Sequence, residues 1–137
     1  MISTVEKVLF LKSLDLFSQI PGEDLAQVAL ITIEEGRDAG EEIFGEGEVG
    51  DALYIVLDGK VRVHRKDKTI AELGERECFG EIAILDASPR SATVTSLTDV
   101  ALLKIPREDF QDLMAEKHAI AVGIIKVLTR RLREAIK

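Results

Sequence analysis

The chain has one cysteine, two histidines and no tryptophan in 137 residues. A single thiol, Cys78, excludes an intrachain disulfide and suits a reducing, cytoplasmic setting. Beside Phe79 it reads as a small packed side chain. His64 and His118 stand far apart in the sequence, which argues against a metalloenzyme built on clustered histidines. Positive charge is also in short supply: 18 Lys and Arg against 25 Asp and Glu leave a net charge of −7. A nucleic-acid backbone calls for a basic face, so no nucleic acid is expected as partner. Arg130, Arg131 and Arg133 do cluster near the C-terminus, where a helix dipole favours cations. Long hydrophobic runs are missing. Ala119 to Ile125 is apolar but for Gly123, far below the roughly 20 residues that cross a bilayer, so no membrane insertion is expected. Met1 leads into Ser3, Thr4 and Glu6 rather than a basic start and an apolar stretch, so no secretory leader is expected. No low-complexity linker and no internal repeat interrupts the chain.

What is present fits one domain of ordinary composition, with 46% hydrophobic residues. Residues 1–30 read as helical. Ser3 to Glu6 has the spacing of a capping box, and Val5, Val8, Leu9 and Leu11 follow as an apolar face. Pro21 suits the first turn of a second helix, with Leu25, Val28 and Ala29 inside. From 31 to 106 the pattern changes. Gly36, Gly40, Gly45, Gly47, Gly50, Gly59, Gly74 and Gly80 separate short β-prone segments, as in a sandwich, roll or barrel. Asp58-Gly59, between Tyr54–Leu57 and Lys60–Val63, predicts a type I′ hairpin. Further strands are expected at Thr69–Leu73, Ala92–Leu97 and Val100–Ile105, the last two joined by a turn at Thr98-Asp99. Residues 107–137 return to helix. Pro106 opens one carrying Phe110, Leu113 and Met114. A longer one, from about Ala119 to Ile136, places Ala121, Ile125, Leu128 and Leu132 in one stripe. That stripe could serve as a lid over a pocket, as a dimer seam, or as packing against the roll.

Chemistry concentrates between Phe79 and Val94, read as a short helix, a turn and the start of a strand. Gly80 allows close approach of backbone to a ligand. The N–H groups after it lack helical partners and suit an anion. Arg90 adds a fixed cation with a forked donor array, and Ser91 a hydroxyl donor. Glu81 could accept hydrogen bonds from sugar hydroxyls. An anion grip and a hydroxyl acceptor on one loop are what a ribose phosphate needs. The acidic residues Glu41, Glu42, Glu48 and Asp51 lack the spacing of a calcium loop and read as a solvated rim, so no metal is expected.

Phe79-Gly80-Glu81 followed by Pro89-Arg90-Ser91-Ala92-Thr93 resembles the phosphate-binding cassette of cyclic-nucleotide-binding domains. These occur in regulatory subunits of cAMP-dependent protein kinase, in cyclic-nucleotide-gated channels and in the catabolite activator protein. Gly50–Val56 and Asp58–Val61 resemble the central strands of that family, and Leu16-Phe17 before Pro21 resembles its N-terminal helical motif. The resemblance spans essentially the whole chain. It implies a mainly β fold: an eight-stranded β-roll of jelly-roll type with flanking helices, residues 1–137 forming one domain. It also implies a ligand-binding set of Gly80, Glu81, Ile82, Ala83, Arg90, Ser91 and Ala92. Glu81 would bind the ribose 2′-hydroxyl with the Gly80 N–H nearby, and Arg90 a phosphate oxygen. The Ala83 and Ser91 N–H groups and the Ser91 hydroxyl would complete the cradle. Val61 and Val63 would pack near the base, covered by a side chain between Lys126 and Ile136.

The function implied is a regulatory binding module that couples ligand binding to movement of its C-terminal helices. It would not be an enzyme and would need no cofactor, the ligand being cAMP or cGMP. Ser91 admits cGMP, but cAMP binders carry Ser there as well, and cAMP is taken ahead of cGMP. An effector domain or protein would lie outside this chain, and the C-terminal helix offers a homodimer contact. One alternative is a truncated transcription factor of the catabolite-activator type, although the Thr-Ser pair that activator places on its long helix stands here as Ala135-Ile136. Another is a ligand-blind β-roll serving as a protein-interaction domain.

Overall fold

The computed structural model describes residues 2–137. The chain divides into two compact units, one of Thr32–Glu108 and one of the residues up to Ile31 together with Asp109–Lys137.

The first of these holds eight antiparallel strands in two sheets. They are β1 (Ile33–Arg37), β2 (Glu42–Phe44), β3 (Ala52–Asp58), β4 (Val61–Arg65), β5 (Lys68–Leu73), β6 (Cys78–Phe79), β7 (Thr93–Ser96) and β8 (Val100–Pro106). One sheet runs β1-β8-β3-β6 and the other β2-β7-β4-β5. Apart from β4 and β5, successive strands therefore cross between sheets, as in a jelly roll. Alternation aims Ala52, Tyr54 and Val56 of β3, Val100 and Leu102 of β8, Val61 of β4 and Val94 of β7 into one core with Phe44 and Phe79. Leu53 and Ile55, on the opposite face of β3, are buried too, which is why that strand reads as a continuous apolar run.

The hairpin expected at Asp58-Gly59 is not formed. β3 pairs with β6 and β8, whereas β4 pairs with β5 and β7. Asp58-Gly59 instead carries the chain from one sheet to the other. Only Gly59 has positive φ, at 92°, while a type I′ turn needs it at both positions. The turn is shaped by distant residues. The Lys60 N–H donates to Thr98 Oγ1 at 3.1 Å, and a Cβ at Gly59 would collide with the Asp99 carbonyl. The hairpin of this sheet is β4–β5, with Lys66 at φ 52° in its turn. Gly36, expected to interrupt strands, lies inside β1.

The second unit contains α1 (Thr4–Ser13), a 3-10 turn at Asp15–Phe17, α2 (Gly22–Leu30), most of α3 (Arg107–Glu116) and α4 (His118–Ala135). The capping box is present: Ser3 Oγ accepts from the Glu6 N–H at 3.1 Å, and Glu6 Oε1 accepts from the Ser3 N–H at 3.3 Å. Val5 and Leu9 are nevertheless exposed, and Leu11 carries the packing of α1. Phe17 stacks on Phe110 with ring centroids 5.6 Å apart.

The stripe expected on the last helix is present on α4, but it is not the face the helix buries. α4 buries Ile120, Gly123, Ile124 and Val127. Ile125, Leu128 and Leu132 are exposed instead. An apolar stripe at helical spacing exists on each side of this helix, and spacing alone does not say which is buried. The Arg130–Arg131 pair is engaged as well: both side chains bond the Asp15 carboxylate, Arg131 Nη2 at 3.0 Å. No helix among the described residues is long and apolar enough to cross a membrane.

Candidate functional site

The segment 79–94 folds around one buried cation. β6 ends at Phe79 and Gly80 turns the chain with φ 75° and ψ 22°. That left-handed conformation favours glycine. A Cβ there would fall on Arg90 Nη1 and lie 3.2 Å from the Ala52 carbonyl. Close packing against the arginine, rather than open access for a ligand, is thus the immediate demand for glycine. The 3-10 turn Glu81–Ile84 follows, with Ala83 and Ile84 buried.

Arg90 is placed by its backbone. Its N–H donates to the Glu48 carbonyl at 2.7 Å, and its carbonyl accepts from the Gly47 N–H at 2.9 Å. Val49 bridges Pro89 in antiparallel fashion, so residues 47–50 and 88–90 run side by side. The side chain turns inward and is only 8% exposed. Nη2 donates to the Ala52 carbonyl at 2.9 Å and Nη1 reaches the Gly80 carbonyl at 3.4 Å. The guanidinium carbon lies 3.9 Å from the centroid of the Phe44 ring, a cation–π contact. Burial pushes its pKa below the ordinary arginine value, against opposing effects of Tyr54, Asp51 and Glu48. An arginine so placed remains charged.

Two clefts open beside it. The larger, about 300 Å³, is lined by residues 80–83 and 88–91. The smaller, about 110 Å³, shares Gly80, Arg90 and Ser91 with it and adds Phe44, Val63, Phe79, Ala92 and Val94. All seven residues singled out in the sequence therefore come together: Gly80, Glu81, Ile82, Ala83, Arg90 and Ser91 in the larger cleft, and Ala92 in the smaller. Glu81 is half-buried, with Cys78 Sγ 4.0 Å from its Oε2. Ser91 is exposed at the mouth, and its carbonyl accepts from Arg65 Nε at 2.8 Å. The Ala83 N–H is already bonded to the Gly80 carbonyl at 3.1 Å, closing the 3-10 turn.

Chemically, one end of the site offers a cation with donor hydrogens and a serine. A carboxylate stands beside them, and the smaller cleft supplies an apolar wall. An anion, hydroxyl groups and a flat apolar group would each find a partner. Val63 belongs to that wall. Val61 does not: it is fully buried in the roll core. Phe44 was not singled out in the sequence, although it lines the smaller cleft and stacks on Arg90. Its only local signal is an aromatic ending a short strand immediately before Gly45. Among the described residues no group of three or more His, Cys, Asp or Glu side chains is placed to hold a metal ion.

Comparison with known proteins agrees with this geometry. Residues 37–117 match the family described as cyclic nucleotide-binding domain. The chain is 42% identical over 101 residues to the cyclic AMP receptor protein of Thermus thermophilus, covering 70% of this chain and 47% of that protein. It spans less than half the length of the curated relatives it matches first. The N-terminal domain of a transcriptional regulator from Streptomyces coelicolor superposes with a TM-score of 0.86 at 33% identity, with 92% of each chain covered. The regulatory domain of Toxoplasma gondii PKA, crystallised with cAMP, gives a TM-score of 0.75 at 30% identity over 80% of this chain and 44% of that one.

Proposed function

The chain belongs to the cyclic nucleotide-binding domain family, and we propose that it is a cAMP-sensing regulatory module rather than an enzyme. One observation carries this reading: a guanidinium held almost out of solvent in a cleft that also presents Ser91 and Glu81. Leaving a charge buried is costly unless something compensates it. Two carbonyls and the face of Phe44 do so in part. They engage two of the five N–H donors of Arg90, which leaves others for phosphate oxygens. The protein's own contacts thus position the cation, which limits the ordering that opposes binding.

In this assignment Arg90 and Ser91 take the cyclic phosphate and Glu81 the ribose hydroxyl. The base lies against Val63, Phe44 and Val94. Adenine is preferred to guanine, supported by the naming of the Thermus thermophilus relative as a cyclic AMP receptor. The nucleotide is ligand and not cofactor, and no chemistry is done on it. Work in the cytoplasm suits the single thiol, Cys78. Occupancy is transmitted by a change in the helices from Arg107 onward. A ligand can bias them only by its difference in affinity for their two arrangements.

Equilibrium binding of cAMP beside adenosine tests the phosphate anchor. cAMP should bind and adenosine should be weaker by about tenfold or more, the effect of losing a charge-assisted hydrogen bond. Equal binding would place the recognition elsewhere. Hydrogen exchange over residues 107–137, with and without saturating cAMP, tests transmission, and identical protection would count against it.

A second reading concerns the output. The chain covers less than half of the cyclic AMP receptor protein, and the Streptomyces coelicolor neighbour is the N-terminal domain of a transcriptional regulator. On that footing the module would govern DNA binding by a partner or segment outside residues 1–137. Gel-shift assays of the protein as expressed in its own cell, with and without cAMP, separate this from a protein-only effector.

A further inference from the structure

A second cation reaches the mouth of the same site from β4. Val63 of this strand lines the smaller cleft. Side chains alternate along a strand, so Arg65 follows Val63 on the same face. β4 stays in register with β7 from Val61↔Ser96 to His64↔Thr93, so nothing flips that face. The irregularity between β4 and β5 places its extra residue, Ile70, on β5. Arg65 accordingly bonds the cassette through its side chain, from Nε to the Ser91 carbonyl at 2.8 Å.

That bond occupies one of its five donors and tethers the guanidinium beside Ser91. Arg65 is exposed, no described carboxylate pairs with it, and no described acceptor takes its terminal amino groups. The hairpin that carries it is basic in sequence. Lys60, Arg62, Lys66 and Lys68 share the hairpin, with Asp67 as the one acid between residues 60 and 68, although the chain as a whole carries −7. Charge of that sign along the hairpin favours the approach of an anion to it.

We propose that Arg65 is a second phosphate-binding residue of the cleft, meeting from the rim the face of the phosphate that Arg90 does not reach. This rests on the reading of the cleft as a cyclic-nucleotide site. Ser91 orients both partners: its hydroxyl and N–H face the phosphate, and its carbonyl holds the Arg65 fork. Because the side chain is already tethered, little of its rotamer freedom is lost on binding.

The test is calorimetric titration of the full chain and of Arg65→Gln and Arg65→Lys with cAMP and with cGMP. Each titration is run at roughly 0.1 M and 1 M salt, where the screening length falls from about 10 Å to about 3 Å. Gln keeps a donor for the Ser91 carbonyl without the charge; Lys keeps the charge. Arg65→Gln should weaken both nucleotides by about fivefold at the lower salt, the scale of a partly exposed charge-assisted contact, and the gap should narrow at the higher. Arg65→Lys should stay within about twofold of wild type. Wild-type affinity in Arg65→Gln would overturn the assignment. A loss confined to cGMP would overturn it in favour of a residue that reads the guanine edge. Equal, salt-independent losses in both variants would make Arg65 a structural tether only. If the wild type binds neither nucleotide, the reading of the cleft itself fails and the role of Arg65 with it.

Discussion

Replacing Gly80 with alanine probes the close fit around Arg90. Gly80 sits at φ 75°, where a non-glycine residue pays about 1–2 kcal/mol. The added Cβ would fall on Arg90 Nη1 and lie 3.2 Å from the Ala52 carbonyl. Ala52 is held in β3 opposite Pro106, so the guanidinium must give way. Its 2.9 Å bond to Ala52 and its place over Phe44 go with it. A hydrogen bond from a charged group contributes about 1.5–3 kcal/mol, so Gly80→Ala should cost about 3–4 kcal/mol in all. In an Arg90→Ala background there is no guanidinium to displace, and only the backbone cost of about 1–2 kcal/mol remains. Urea unfolding of the four proteins in this cycle, followed by circular dichroism, should therefore give a coupling of about 2 kcal/mol at unchanged slope. Equal costs of Gly80→Ala in both backgrounds would refute the placement of the guanidinium beside Gly80.

The two faces of α4 should separate cleanly. Ile124→Ala removes a side chain that is 3% exposed and should cost about 2–4 kcal/mol, whereas Ile125→Ala, at 60% exposure, should stay within about 0.5 kcal/mol by urea unfolding. Gly59→Ala forces a residue at φ 92° into the Asp99 carbonyl and should lower stability by about 2–3 kcal/mol, read as a fall in melting temperature of roughly 8 °C. The Asp15 carboxyl is held below its usual pKa of 3.8, first by its hydrogen bond with Arg131 and then by Arg130. A depressed folded pKa stabilises above the unfolded value and is lost as pH falls through the folded one. Wild type and Asp15→Asn should thus differ by a constant amount from about pH 7 to pH 5, begin to converge as pH falls below the ordinary 3.8 and meet once it has passed the depressed folded value; a difference unchanged through that whole fall would contradict the ion pair.

The cassette was readable in advance because its parts lie within sixteen residues and each has a local reason to be there. Gly80 turns the chain, Arg90 and Ser91 follow one short loop later, and the structure gathers them around one cleft. The roll interior was less accessible. Asp58-Gly59 has the composition of a hairpin turn, yet contacts with Thr98 and Asp99, about forty residues later, decide its shape. Phe44 and Arg65 escaped for the same reason. Neither belongs to a motif of its own, and only the pairing of β2 and β4 with β7 brings them to the cassette. The use of the α4 stripe stayed open for a different reason: both sides of the helix are apolar, and periodicity reports a face without saying what covers it.

Isothermal titration of the chain with cAMP and cGMP, beside an Arg90→Ala control of matched foldedness, tests the cation-anchored site most directly. Arg90 is nearly buried and lines the cleft, so saturable one-to-one binding of a cyclic nucleotide is expected, with cAMP tighter than cGMP on the function proposed above. The control should lose roughly a hundredfold or more, about the 3 kcal/mol of a buried, charge-assisted phosphate contact. Unchanged affinity in Arg90→Ala, or no heat with either nucleotide on folded protein free of co-purified ligand, would contradict it.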